Sequence, residues 1–265
     1  MHKHDHLNSA QVHFNNVSVE YFSRPRWLGG KAFKAIDQLS LNVETQNLAI
    51  VGPSGAGKST LIELLFGLRQ PTSGEVYICG EALSTSTVKQ RQHLCKHIQL
   101  IPQEPQATLN PYYTVKQILL EPLNNLGLTT NQEHKIVQAL EEVGLDKKLL
   151  DVKPTSLSVG QAQRVAIARA IVVEPCVLVA DEPTSSLDPI SRKQVLDLLS
   201  RLQKQHQMRL ILVTHDLSAA NALCDEVMVL DKGQVAEYDS VDKIMSAPAH
   251  PTSRALLDAH LISVN

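Results

Sequence analysis

The sequence predicts an α/β fold with a mostly parallel sheet, an antiparallel β subdomain near the N-terminus and an inserted helical subdomain over about 103–172. Three observations predict it. Short apolar runs recur at Leu48–Val51, Ile98–Ile101, Cys176–Ala180, Leu210–Val213 and Val227–Leu230, as buried parallel strands do. The first run leads into a glycine-rich loop and then a helical pattern. Residues 112–172 lack such runs; Val115, Ile118 and Leu119, then Ile136, Leu140 and Val143, recur at helix spacing.

Taken in order, residues 1–10 read as a solvated tail. His2, His4 and His6 within it could hold Ni²⁺ or Cu²⁺, which lends at most weak support to a nickel solute. Val12, Phe14, Val17 and Val19, then Ile36, Leu39, Leu41 and Val43, predict two antiparallel strands. Pro25 and Gly29-Gly30 mark a loop between them. Gly52-Pro53-Ser54-Gly55-Ala56-Gly57-Lys58-Ser59 then fits G-x-x-x-x-G-K-S between a strand and a helix, the setting of a phosphate-binding loop. Glycines let successive N–H groups converge on an anion, and the following helix N-terminus adds positive potential. Lys58 can reach β- and γ-phosphates, and the Ser59 hydroxyl can ligate Mg²⁺.

Farther along, Ser158 and Gln161 form an S-x-x-Q capping box that opens a helix. The run Val177–Ala180 ends in Asp181 and Glu182. Ligands of parallel sheets bind beyond the carboxyl ends of the strands, so both acids are expected to face the phosphate loop. Asp181 is expected to hold Mg²⁺ through a water, and Glu182 to act as general base toward an attacking water. His215 ends the run Leu210–Val213 on the same expected edge.

Composition agrees with a soluble nucleotide-binding domain over 11–265, and the length suits one large α/β domain or two small lobes. Of 265 residues 43% are hydrophobic but only 4% aromatic, so the core is aliphatic. A net charge of −2 excludes a global basic field, and no nucleic-acid partner is expected. The four cysteines lie far apart, which argues for free thiols, two of them in apolar runs. No apolar run reaches the roughly 20 residues of a membrane span, and no signal peptide is evident. A cytosolic chain is expected, linked to a membrane only through partners.

These motifs, in this order, resemble the ATP-binding subunit of an ATP-binding cassette (ABC) transporter along nearly the whole chain. The resemblance implies a P-loop NTPase core and ATP hydrolysis with Mg²⁺. It makes Gly52–Thr60 the Walker A loop, Val177–Glu182 Walker B and Leu157–Gln161 the signature. Gln103 is implied as the Q-loop glutamine at the Mg²⁺ site, Ser186–Asp188 as the D-loop and His215 as the switch histidine at the γ-phosphate. Tyr21 resembles the aromatic under adenine, with Phe22 as a substitute. Two subunits are implied to pair head to tail, each ATP lying between one phosphate loop and the Ser158, Gly160 and Gln161 helix end of the other. Val159 departs from the usual Leu-Ser-Gly-Gly-Gln; ordinary helical angles are expected there, with a weakened site as the alternative.

Gln103-Glu104-Pro105 with Leu109-Asn110-Pro111, and the segment His250–Leu257, resemble the peptide and nickel importer branch. That branch implies an unlike second ATPase chain, two membrane permease subunits and, indirectly, an extracytoplasmic solute-binding protein, at the cytoplasmic face of the membrane. The solute is expected to be a peptide, nickel or a metal chelate. No cysteine-rich extension follows, so no iron–sulfur cluster is expected. The alternatives are a non-transport ATPase of the same superfamily, such as an accessory to carbon–phosphorus bond cleavage, and a nucleotide-binding regulator without turnover. Retention of Lys58, Asp181, Glu182 and His215 argues against the regulator.

Overall fold

A computed structural model describes residues 11–22, 32–43, 47–84, 87–185 and 187–264. The His-rich tail, the expected loop at Arg24–Gly30 and Ser186 lie outside the described residues. The chain divides into two compact units, one of residues 1–91 and 211–265, the other of residues 92–210.

In the first unit, β1 (Val12–Phe22) pairs antiparallel with β2 (Ala32–Val43) and with β4 (Ser73–Ile78), which pairs in turn with β5 (Glu81–Ala82). The expected inward residues are buried. Their spacing slips from two to three between Phe14 and Val17, and again between Ile36 and Leu39. A strand can keep both on one face only through a bulge. The register shifts at these places, and Asn16 and Gln38 take φ of 48° and 53°. Each amide finds a hydroxyl across the pair: Asn16 N donates to Ser40 Oγ (3.1 Å) and Gln38 N to Ser18 Oγ (3.0 Å).

The second sheet of this unit centres on β3 (Leu48–Val51), every residue of which is buried. β3 runs parallel to residues 211–214 of β8 (Arg209–Thr214) and to β9 (Glu226–Asp231), and β9 pairs antiparallel with β10 (Gln234–Ser240). An all-apolar strand with parallel neighbours on both sides needs both faces covered. Among the described residues this unit holds α1 (Lys58–Leu65), α8 (Leu217–Leu223), α9 (Val241–Ser246) and α10 (Pro251–Val264).

In the second unit, β6 (Ile98–Ile101) follows α2 (Val88–His97) and pairs in parallel with β7 (Val177–Asp181). Between these strands lie α3 (Pro105–Thr108), α4 (Val115–Asn125), α5 (Gln132–Glu142) and α6 (Val159–Ile171). α4 opens with a Thr114–Gln117 capping box and buries Val115, Ile118, Leu119 and Leu123, each contributing about 1.5–3 kcal/mol. α6 is buried on most sides, and α3, α4 and α5 all pack on it. The small residues Ala162, Ala166, Ala168 and Ala170 permit that crowding. α7 (Pro189–His206) is tied to the end of α5 through Glu142. The Glu142 carboxylate accepts from Gln138 and Gln205, and lies 2.8 Å from His206 Nε2.

None of the four cysteines forms a disulfide. Only Cys224 is buried, against the expectation of two; burial and the neighbouring Asp225 charge push its thiol pKa well above the usual value. Cys176 falls just outside β7, half-buried, with its Sγ 3.5 Å from His97 Nδ1. Among the described residues no helix is long and apolar enough to cross a membrane.

Candidate nucleotide site

The phosphate loop leaves β3 after Val51 and enters α1 at Lys58. Two of its glycines are sterically required. A Cβ on Gly52 would stand 2.3 Å from Leu230 O. Gly57 has φ 112°, and its Cβ would stand 2.4 Å from Ala35 O. The loop is anchored by Gly233 N donating to Ala56 O (2.9 Å). Gly57 gives α1 no side-chain cap, so the amides of its first turn are left for an anion. Lys58 Nζ donates to Gly52 O (2.7 Å) and Pro53 O (3.0 Å), which holds the ammonium against the mouth of the loop. Pro53, Ser54, Gly55 and Ser59 are exposed, while Ala56 and Thr60 are buried.

The same unit carries His215 and Tyr21. Val51 pairs in parallel register with Thr214, so the phosphate loop and His215 leave neighbouring strands at the same end. His215 is exposed. Asp216 behind it caps α8, its Oδ1 accepting from Ser218 N (2.9 Å). Tyr21, near the end of β1, reaches α1: its hydroxyl lies 3.3 Å from Thr60 Oγ1 and 3.4 Å from Glu63 Oε2. The Arg69 guanidinium lies over its ring, 4.4 Å from the centroid. Phe22 is the next residue, and strand alternation turns it to the other face.

In the second unit, Ile101 pairs with Ala180, so Gln103 and the Asp181–Glu182 pair leave neighbouring parallel strands at one end. Asp181 closes β7. Glu182 takes φ 46°, a left-handed conformation that is strained for a side chain of its size. Its carbonyl accepts from Ser185 N (3.2 Å) and Ser185 Oγ (3.1 Å). The next carbonyl, Pro183 O, accepts from the buried Gln163 Nε2 (2.9 Å). Gln163 is a link that sequence reasoning missed; it reads as one more polar residue on a helix.

The Ser158–Gln161 capping box is complete: Gln161 N donates to Ser158 Oγ (3.2 Å) and Ser158 N to Gln161 Oε1 (3.0 Å). The Ser158 hydroxyl is thus used as an acceptor and keeps its O–H to donate. Val159 is the first residue of α6, is 46% exposed and is absent from the positive-φ residues, so it takes the ordinary angles expected of it. Gly160 has open space around it. Asp188 caps α7, its Oδ1 accepting from Ile190 N (3.0 Å) and Ser191 N (3.1 Å). Hydrogen bonds, first from the Ser191 side chain, hold the Asp188 carboxyl below its usual pKa. Arg169, also missed, donates from α6 to Thr108 O (3.2 Å) at the end of α3. Burial pushes its pKa down, opposed by the charge of Glu121.

The donors expected at Mg²⁺ are the oxygens of Ser59, Gln103 and Asp181. An all-oxygen set fits a hard cation. Among the described residues no group of three or more His, Cys, Asp or Glu side chains could hold a metal ion, so any metal here depends on such hydroxyl, amide and phosphate oxygens.

Comparison with known proteins shows the family. Residues 36–185 match the family model described as ABC transporter. The dipeptide transport ATP-binding protein DppF of Haemophilus influenzae is 40% identical over 246 residues, 92% of this chain and 74% of that protein. The nickel import ATP-binding protein NikE of Shigella boydii is 39% identical over 214 residues, 79% of this chain and 80% of that protein. A dimeric ATP-binding cassette solved in a post-hydrolysis state with ADP and Pi superposes with a TM-score of 0.76 at 28% identity, over 87% of this chain and 98% of that one. The chain therefore belongs to the ABC transporter family, as an ATP-binding, ATP-hydrolysing subunit of the branch that holds the peptide and nickel importers.

Proposed function

We propose that this chain hydrolyses ATP to energise import of a peptide, nickel or a metal chelate, as one of two unlike ATPase chains docked beneath two permease subunits. The reading places it at the cytoplasmic face of the membrane, with an extracytoplasmic solute-binding protein acting through the permeases. The solute class rests on the names of the relatives, a dipeptide and a nickel transport subunit. The observation that carries the chemistry is the matched strand ends, Val51 beside Thr214 in one unit and Ile101 beside Ala180 in the other.

In this reading the phosphate-loop amides and Lys58 hold the triphosphate, and Tyr21 lies under adenine. Glu182 takes a proton from the water that attacks the γ-phosphorus, as the bond to the β–γ bridging oxygen breaks. His215 contacts the γ-phosphate and orients the attack. Ser59, Gln103 and Asp181 would hold Mg²⁺, which when bound neutralises charge on the β- and γ-phosphate oxygens. Ser158, Gly160 and Gln161 serve the ATP of the partner ATPase, with Asp188 near that junction. A helix N-terminus is a suitable surface for a γ-phosphate.

This reading gives the permease contact to the Gln103–Tyr113 stretch and its pair Tyr112-Tyr113, just before α4. Tyr112 is 81% exposed there, and a groove is lined by Tyr113, Gln117, Leu120, Glu121, Asn124 and Asn125. The test is solute uptake in vesicles holding the two permeases and both ATPase chains. Dipeptide or nickel uptake that needs ATP and stops with Glu182→Gln is expected. Undiminished uptake with that variant would remove the reading.

A further inference from the structure

We propose that Arg69 is a positioning residue for the nucleotide base: with Glu63 it locks the Tyr21 ring and covers one face, so that the opposite face is a preorganised stacking platform. The proposal rests on the reading of Tyr21 as the aromatic under adenine.

The arrangement begins with the end of α1. Gly67 N donates to Leu64 O (3.1 Å) and Leu68 N to Glu63 O (2.9 Å), the paired bonds of a Schellman turn. Arg69 N also donates to Glu63 O (3.2 Å), so the chain doubles back over Glu63. Arg69 Nε then donates to Glu63 Oε2 at 2.5 Å. That oxygen also accepts the Tyr21 hydroxyl at 3.4 Å. One carboxylate therefore fixes both the phenol and the cation that lies 4.4 Å from the ring centroid. Thr60, within the phosphate loop's own helix, supplies a second contact to the phenol.

Two consequences follow. A ring already held at both ends loses little freedom when a base stacks on it, so less of the stacking energy is spent on ordering. A cation on the far face draws π density through the ring, which favours an electron-rich purine on the near face. Both effects act on the base and neither acts on the phosphates.

The experiment compares Kd for ATP and for inorganic tripolyphosphate by calorimetry on the full chain. Arg69→Ala is expected to weaken ATP about 2–5-fold, the size of an exposed cation–π contact, and to leave tripolyphosphate unchanged. Arg69→Lys should recover part of the loss. Tyr21→Ala should weaken ATP about 5–150-fold, the range for base–aromatic stacking, and adding Arg69→Ala to it should cost nothing more. Equal weakening of both ligands by Arg69→Ala would make the residue merely structural and overturn the proposal. Unchanged ATP affinity in Arg69→Ala, with Tyr21→Ala still impaired, would overturn it while sparing the role of Tyr21. Unchanged affinity in Tyr21→Ala would remove the base platform altogether.

Discussion

Glu182 joins a left-handed backbone to a carbonyl held by Ser185 and a neighbouring carbonyl held by Gln163. A side chain in that conformation costs about 1–3 kcal/mol and persists only where the surroundings over-determine it. Glu182→Gln preserves shape and removes the proposed base. Turnover is expected to fall at least about 10²-fold while ATP binding persists and the ATP-bound dimer becomes longer-lived, read by steady-state hydrolysis and size-exclusion chromatography with ATP. Near-normal hydrolysis would take the role from Glu182. Lys58→Ala should instead lose nucleotide affinity, because a charge-assisted phosphate contact disappears. Gln163→Ala probes the support. It strips the buried Pro183 carbonyl of its donor, at about 1–3 kcal/mol. A lower Tm together with lower turnover is expected. Unchanged turnover at lowered Tm would show that Gln163 serves stability alone.

α6 carries two roles in one short stretch. Its Ser158–Gln161 box closes the helix end, and the same end faces outward through Val159. Ser158→Ala is expected to cost about 0.5–2 kcal/mol of stability besides its effect on turnover. α10 is docked by a different device. Glu237 accepts from Ala249 N and His250 N (both 2.9 Å), and Thr252 Oγ1 donates to Asp231 Oδ2 (2.9 Å). Burial alone would raise the Glu237 pKa. The hydrogen bonds from the Ala249 and His250 amides, with the Ser253 side chain alongside, outweigh it, and the carboxyl ends below its usual value. A depressed folded-state pKa adds stability above the unfolded value, about 4.3, and that stability is lost as pH falls through the folded value. The Tm gap between wild type and Glu237→Gln should therefore be widest above pH ~5 and close toward pH ~3. A gap independent of pH would show that Glu237 acts without its charge.

At the scale of the whole protein, the proposed function calls for chains beyond this one. Tyr112 and Tyr113 sit beside the α4 groove, in the segment that follows Gln103, and Pro102, Pro105 and Pro111 stiffen its backbone. In the proposed function this surface receives the movement made at the nucleotide. Ala substitution of both tyrosines is expected to abolish import and co-purification with the permease, with ATP binding by the isolated chain intact. Wild-type transport in the double variant would remove the coupling role. The isolated chain is also expected to be monomeric and slow, and an unlike ATPase chain to raise its turnover. Full activity as a homodimer would remove the heterodimer.

The phosphate loop, the acids after an apolar strand and the capping box were legible because each is local chemistry. Glycines, lysine, serine and a strand flank must be contiguous to surround a phosphate, and an S-x-x-Q pair must sit one helical turn apart. The parallel strands were legible from unbroken apolar runs, and even the bulges left a trace in the three-residue steps Phe14–Val17 and Ile36–Leu39. Which strands are neighbours was not legible, since β3 lies beside β8 and β9 from the far end of the chain. The Arg69–Tyr21–Glu63 cluster, the Gln163–Pro183 bond and the Glu142–His206 contact were equally hidden. Each joins side chains from separate segments, and only the approach of packed elements brings them within hydrogen-bond or ring-contact distance. Sequence spacing encodes what one segment must do to its own backbone; the partners of a long polar side chain are chosen by tertiary packing.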